Sequence, residues 1–279
     1  LRSEEQSGGP EEDNQMKIAC QENLVPGESF REKIVNLEKY GFQGIELWGT
    51  KLGERIKEIN TALSCSEIKV STICAGYRGC LLDGDHSQRD LAFNDIRELL
   101  SLAGDIGAVG LIVVPIFGPP RLPDLSPWRK PVELEEELLL KLLEQIAPHA
   151  EKVKAALLLE PLNRYETHLY NRLDQVVDIC KKVGSPYVKM MADFFHMNIE
   201  ESNIGESIIR TGRYLANIHL ADSNRLLPGY GHTDFLPGFK ALKKIGYQGY
   251  LSLECGIPGK KEEELPKCVS YLKGIIGQT

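Results

Sequence analysis

The sequence predicts an α/β protein, a closed (β/α)8 TIM barrel, on three observations. Short β-branched or apolar runs alternate strictly with longer segments of helical periodicity, eight of each. Glycine punctuates the helix-to-strand turns at Gly41, Gly107, Gly184 and Gly246, where a helix end favours it. Third, 279 residues exceed the roughly 250 that such a barrel uses as one domain, and no compositional break divides them. Strict alternation implies parallel strands joined by right-handed crossovers. An open doubly wound sheet is the alternative. The glycine-rich dinucleotide fingerprint that would favour it is absent after the first strand.

The elements follow in order. The first strand, Lys17–Cys20, lies in "MKIACQ", and the helix Phe30–Tyr40 runs up to Gly41. Gly44–Trp48 precedes the helix Leu52–Ser64, and Lys69–Cys74 precedes Ser87–Ile106. The strand Val109–Val114 opens into a proline-rich loop, Pro115–Pro131, that reads as a lid or a subunit contact before the helix Glu133–Lys154. Ala155–Glu160 leads to Leu173–Val183, Val188–Asp193 to Ile204–Gly212, Ala216–Leu220 to Phe235–Ile245, and Gly249–Glu254 to Lys261–Ile276. The polar, acidic stretch Leu1–Gln15 lacks an apolar centre and reads as a disordered extension or an expression remnant rather than a signal peptide, with Met16 as the expected start. Residues 16–279 are expected to form a single catalytic barrel.

Composition narrows the function. A formal charge of −7 argues against a general nucleic-acid or membrane-surface binder. No apolar run is long enough to span a bilayer. Seven cysteines, an odd number without a CxxC pair, suit free thiols and a reducing cytoplasm. Cys74 and Cys255 near strand ends read as small buried hydrophobes. P-loop, GxSxG and HExxH motifs are absent.

The strand ends carry the chemistry, because barrel active sites lie at the C-terminal rim. The fifth strand ends in Glu160, the sixth in Asp193 and the eighth in Glu254, while the seventh carries His219. Alternation puts Tyr250, Ser252 and Glu254 on one face and Asn217 and His219 on the corresponding face of the neighbouring strand. Pro161 biases Glu160 toward extended backbone. Any one acid at a strand end is ordinarily solvated or salt-bridged. Four such groups on consecutive strands point to a shared ligand. Three converging carboxylates would raise one another's pKa, and a divalent cation resolves the repulsion. One imidazole with three carboxylates suits manganese, cobalt or magnesium.

The loops that follow are rich in hydrogen-bonding groups: Asn163, Arg164 and Glu166, then His196, then Asp222 and Arg225. This is the lining expected for a polyhydroxylated substrate. Arg121, Arg129 and Arg164 could hold a substrate carboxylate, although surface arginine is the ordinary reading. Asp234 could cap the following helix. His232 reads as a loop group or one that supports the site from behind, His86, His149 and His168 read as surface or loop residues, and Glu46 in "GIELW" reads as an interior acid paired with Lys189.

"EPLNRYET", "ADFFHMN", "HLADSNRLLPGYGHTDF" and the closing "SLEC" resemble the sugar isomerase/epimerase superfamily on the xylose-isomerase-like barrel. Within it the resemblance is to the ketose 3-epimerases, typified by D-tagatose and D-psicose 3-epimerases. It runs from Met16 to the C-terminus and is carried mainly by Ala155–Glu254. The resemblance implies one divalent metal, Mn2+, Co2+ or Mg2+, held by Glu160, Asp193, His219 and Glu254, and no organic cofactor. It implies that Glu160 and Glu254 are the catalytic acid/base pair and that Glu166, His196 and Arg225 contact the substrate. The expected reaction is epimerisation at C3 of a free ketose or keto-sugar acid through a metal-stabilised cis-enediolate. A cytoplasmic homodimer or homotetramer with no nucleic-acid or membrane partner goes with it. The alternatives are an aldose–ketose or hydroxypyruvate-type isomerase, an apurinic endonuclease-like nuclease and a non-catalytic sugar-binding barrel. The nuclease would need more histidines and a basic face.

Overall fold

Eight parallel strands hydrogen-bond in chain order, and β8 returns to β1 to close the ring. The structure is a computed structural model and describes residues 16–279. The reading of Leu1–Gln15 therefore lies outside the described residues.

The strands are β1 (Lys17–Gln21), β2 (Gly44–Trp48), β3 (Lys69–Cys74), β4 (Gly110–Val113), β5 (Ala156–Leu159), β6 (Val188–Asp193), β7 (Leu215–Leu220) and β8 (Tyr250–Leu253). The outer ring of helices is α1 (Phe30–Tyr40), α2 (Leu52–Leu63), α3 (His86–Asp105), α4 (Pro131–Val153), α5 (Leu173–Val183), α7 (Ile204–Thr211), α8 (Phe235–Lys244) and α9 (Lys261–Ile276). One more helix, α6 (Phe194–Glu200), starts directly from the end of β6. The strict alternation expected from sequence misses it, because its seven residues are too few to show a helical period. Gly41, Gly107, Gly184 and Gly246 all adopt positive φ at the turns where they were expected.

Alternation in β5 explains its three leucines. Leu157 and Leu159 join the large core between the strands and the helices, while Leu158 points inside the barrel. There it packs with Cys74, Ile112, Ala156 and Met191 into a small apolar plug. Burying Ile112, Leu158 and Met191 is worth about 1.5–3 kcal/mol each, so the plug is a firm floor. The polar groups discussed next stand at the strand ends above it. In β6 the register against β7 shifts between Met190 and Met191, which is why its alternation is hard to read from sequence. Among the described residues, no helix is long and apolar enough to cross a membrane.

Candidate active site

Glu160 and Glu254 each stand one residue past their strands, not at the last ladder position as expected. Their backbones still hydrogen-bond to the neighbouring strand, Glu160 N–H to Val113 O (3.1 Å) and Glu254 N–H to Leu220 O (3.3 Å). Asp193 and His219 lie within β6 and β7, directly opposite each other in the ladder. The sheet thus brings all four together. One ligand atom from each of Glu160, Asp193, His219 and Glu254 lies within 4.8 Å of every other. His219 Nδ1 is 3.8 Å from Glu160 Oε1 and 3.2 Å from Glu254 Oε2. That nitrogen is buried and has no hydrogen-bond partner. An unpaired buried nitrogen aimed at three carboxylates is costly unless a cation shares its lone pair. Oxygen donors with one imidazole fit a hard or borderline divalent ion. The four residues form a buried site fit for such a metal.

The electrostatics separate the acids. Burial pushes Glu160 well above the ordinary carboxylate range, and Glu254 and Asp193 add to it against His219. Burial likewise pushes Asp193 up to about 6, against the pull of Arg225. Burial would also raise Glu254, but His219 and the Arg225 guanidinium overcome it and hold the group down to about 2. Two carboxylates whose surroundings push them in opposite directions are the arrangement an acid/base pair needs. For His219, burial works against the charged form, yet Glu46 and Glu254 raise it well above the usual histidine value.

The expected substrate-contacting residues lie around this cluster. Arg225 reaches in from the loop after β7 and donates to Glu254 Oε2 (2.6 Å) and Asp193 Oδ2 (3.1 Å). Its guanidinium lies 4.6 Å from the Phe195 ring centroid. The Arg225 backbone is left-handed (φ 61), held by Arg225 N–H to Asp222 O (2.8 Å) and Gly256 N–H to Arg225 O (2.7 Å). His196 is buried on α6, not in a loop as expected. Its Nδ1 accepts from the Asn163 backbone N–H (3.2 Å), and its Nε2 lies 3.3 Å from Arg225 Nη1 and 3.6 Å from Asp193 Oδ2. Burial and Arg225 push His196 down to about 3, so the ring is neutral. Glu166 is held by Asn163 Nδ2 (2.9 Å) and lies 3.8 Å from His196 Nδ1. A chain of contacts therefore joins Glu166 through His196 and Arg225 to the four-residue cluster.

Other expectations sort plainly. Arg121, Arg129 and Arg164 bind Asp83, Glu137 and Glu200, so none is held toward the cluster. Asp234 does cap α8, accepting from Leu236 N–H (3.1 Å), and His232 is exposed. His168 is no free surface group. It contacts Glu135 (2.5 Å) and Gly118 O (2.8 Å), tying the loops after β4 and β5 to α4. Glu46 does not pair with Lys189. It faces His219 Nε2, Gln21 and Thr72 inside the barrel. An acid in the middle of an apolar strand signalled it, but its partners come from distant strands and no local spacing reveals them.

A family model described as a xylose isomerase-like TIM barrel matches residues 34–274. The chain belongs to that family. A 3-dehydro-D-guloside 4-epimerase of Escherichia coli K12 is 32% identical over 244 residues, spanning 86% of this chain and 92% of that protein. A solved 3-keto-D-glucoside 4-epimerase from E. coli superposes with a TM-score of 0.85 at 28% identity, covering 93% of this chain and 100% of that one. A D-psicose 3-epimerase of Enterocloster bolteae is 39% identical, but over 112 residues, 40% of this chain and 37% of that protein. By homology the chain is a sugar epimerase, an isomerase. The resemblance read from sequence reached the right superfamily and activity class. The match to the 3-epimerase covers 40% of the chain, whereas the match to the 4-epimerase covers 86%.

Proposed function

We propose that this enzyme inverts C4 of a 3-keto-glycoside, the carbon next to the ketone, with Glu160 and Glu254 as its two proton carriers. The alignment with the E. coli 4-epimerase over 86% of the chain carries the choice of substrate. Epimerisation at C3 of a free ketose is the second reading, favoured by the shorter match to D-psicose 3-epimerase.

The chemistry is shared by both. A C–H bond beside a ketone is weakly acidic. One of the two carboxylates takes the proton from one face of the carbon, and the other, carrying a proton, returns one from the opposite face. The C–H electron pair moves onto the ketone oxygen and back, so the net change is inversion without redox chemistry. The two acids exchange roles in the reverse direction. Glu160, Asp193, His219 and Glu254 would hold a divalent ion, Mn2+, Co2+ or Mg2+, and when bound it supplies Lewis-acid stabilisation of negative charge at the substrate oxygens. Arg225 donates to substrate oxygens, the neutral His196 ring contacts the substrate beside it, and Glu166 accepts from a hydroxyl.

The test is a panel of methyl 3-keto-glucoside, D-psicose, D-tagatose and hydroxypyruvate with Mn2+-loaded enzyme, with products identified by NMR. The proposal expects the largest kcat/KM for the 3-keto-glucoside with inversion at C4. Faster inversion of the free ketoses at C3 would overturn it in favour of the second reading.

A further inference from the structure

We infer that Glu46 is a positioning residue for the metal site, fixing the His219 tautomer and, through Gln21, the orientation of Glu254. The inference rests on the reading of Glu160, Asp193, His219 and Glu254 as metal ligands. Glu46 lies on β2 at 0% exposure, in the barrel interior, on the far side of the His219 ring from the cluster. His219 Nε2 is 3.0 Å from each of its carboxylate oxygens. A carboxylate offers lone pairs, so the Nε2 nitrogen must carry the proton. Nδ1 is then the nitrogen left to ligate when a metal takes the place of any proton there, and it is the one facing Glu160 and Glu254 without a hydrogen-bond partner. The same ring with its proton on Nδ1 would present an N–H to the site and could not ligate through it.

Glu46 also governs Glu254. Gln21 Nε2 donates to Glu46 Oε1 (2.9 Å) and to Glu254 Oε1 (2.9 Å), so one amide group bridges the two acids. The Thr72 hydroxyl donates to Glu46 Oε2 at 2.5 Å, and Asn217 Nδ2 stands 3.5 Å from the same oxygen. Every contact to Glu46 comes from a donor, on β1, β3 and β7. A buried acid satisfied on all sides has no freedom to rotate, and it passes that rigidity to two of the four ligand residues. Outer carboxylates of this kind raise the basicity of a ligating imidazole and typically contribute 10–100-fold in metal affinity.

The test is calorimetric titration of Mn2+ into metal-free native protein and the Glu46→Gln variant, with circular dichroism confirming the fold of each. Glutamine keeps the shape but turns a donor toward Nε2–H or Thr72. The expected result is a Kd for Mn2+ raised roughly 10–100-fold in Glu46→Gln. A Kd within about twofold of native would overturn the inference while leaving the metal-site reading intact. A native protein that binds no Mn2+ would overturn both. Should Glu46→Gln fail to fold, 15N-histidine NMR of native protein loaded with diamagnetic Zn2+ decides the matter. A proton retained on His219 Nε2 with Nδ1 ligated supports the inference, and ligation through Nε2 overturns it.

Discussion

Replacing Asp222 with asparagine isolates what holds the loop that delivers Arg225. The buried Asp222 carboxylate accepts three backbone N–H groups: Ser223 (2.7 Å) and Thr233 (2.9 Å) on Oδ1, and Gly229 (2.8 Å) on Oδ2. An asparagine can keep its oxygen on the Oδ1 side, but its amide then meets the Gly229 N–H donor to donor. One charge-assisted bond is lost, at about 1.5–3 kcal/mol, and the other two weaken toward the neutral value of about 0.5–1.5 kcal/mol each. The expected destabilisation is about 2–5 kcal/mol, read from urea unfolding of the two proteins at pH 7. The pH dependence gives an independent check. Burial acts to raise the Asp222 pKa, but the surrounding backbone N–H groups, that of Thr233 foremost, outweigh it and hold the group below its ordinary value. A group depressed in the folded state stabilises fully above its unfolded pKa, about 3.9, and loses that contribution as pH falls through the folded value. The difference between the two proteins should therefore be constant near neutrality and shrink steadily below about pH 4. Acids common to both proteins cancel in this difference. A destabilisation under about 0.5 kcal/mol at pH 7, or one that is undiminished in acid, would refute the reasoning.

Other outcomes follow from the same geometry. Gly231→Ala puts a Cβ 2.3 Å from Asp222 Oδ1, so it should destabilise the same loop and be non-additive with Asp222→Asn in urea melts. Gly110→Ala puts a Cβ 1.9 Å from the Ala156 carbonyl oxygen across two central strands, and a cost of about 1–3 kcal/mol or more should lower the thermal midpoint. Arg225→Lys keeps the charge but loses the fork that spans Asp193 and Glu254, so kcat/KM should fall roughly 10–100-fold with the fold intact. Saturating Mn2+ should raise the melting temperature of native protein, because an ion bound only by the folded state stabilises it, and should raise that of His219→Ala far less.

Much of this fold is legible in the sequence because period and punctuation are local properties. The run Leu157–Leu159 shows a strand at once, and positive-φ turns fall at Gly41 and Gly184 where glycine marks them. The helix Phe194–Glu200 is not legible, since two turns leave too short a pattern, and so His196 was placed in a loop. The four-residue cluster could be read because parallel strands end at one rim, making position along the strand a proxy for position in space. Glu46 could not be paired by that rule. Its partners Gln21, Thr72 and His219 lie on three strands and meet it across the barrel interior, where depth and tilt decide contact. The arginines Arg121, Arg129 and Arg164 show the converse limit, as nearby surface acids claim each of them.

The central claim is that Glu160 and Glu254 move a proton at the carbon beside the ketone. Its most direct test is turnover of methyl 3-keto-glucoside in D2O by Mn2+-loaded enzyme, with deuterium located by NMR in native protein, Glu160→Gln and Glu254→Gln. Solvent deuterium should enter at the inverted carbon in native protein, and both variants should lose that exchange. Inversion without deuterium at that carbon, or full exchange in either variant, would contradict the account.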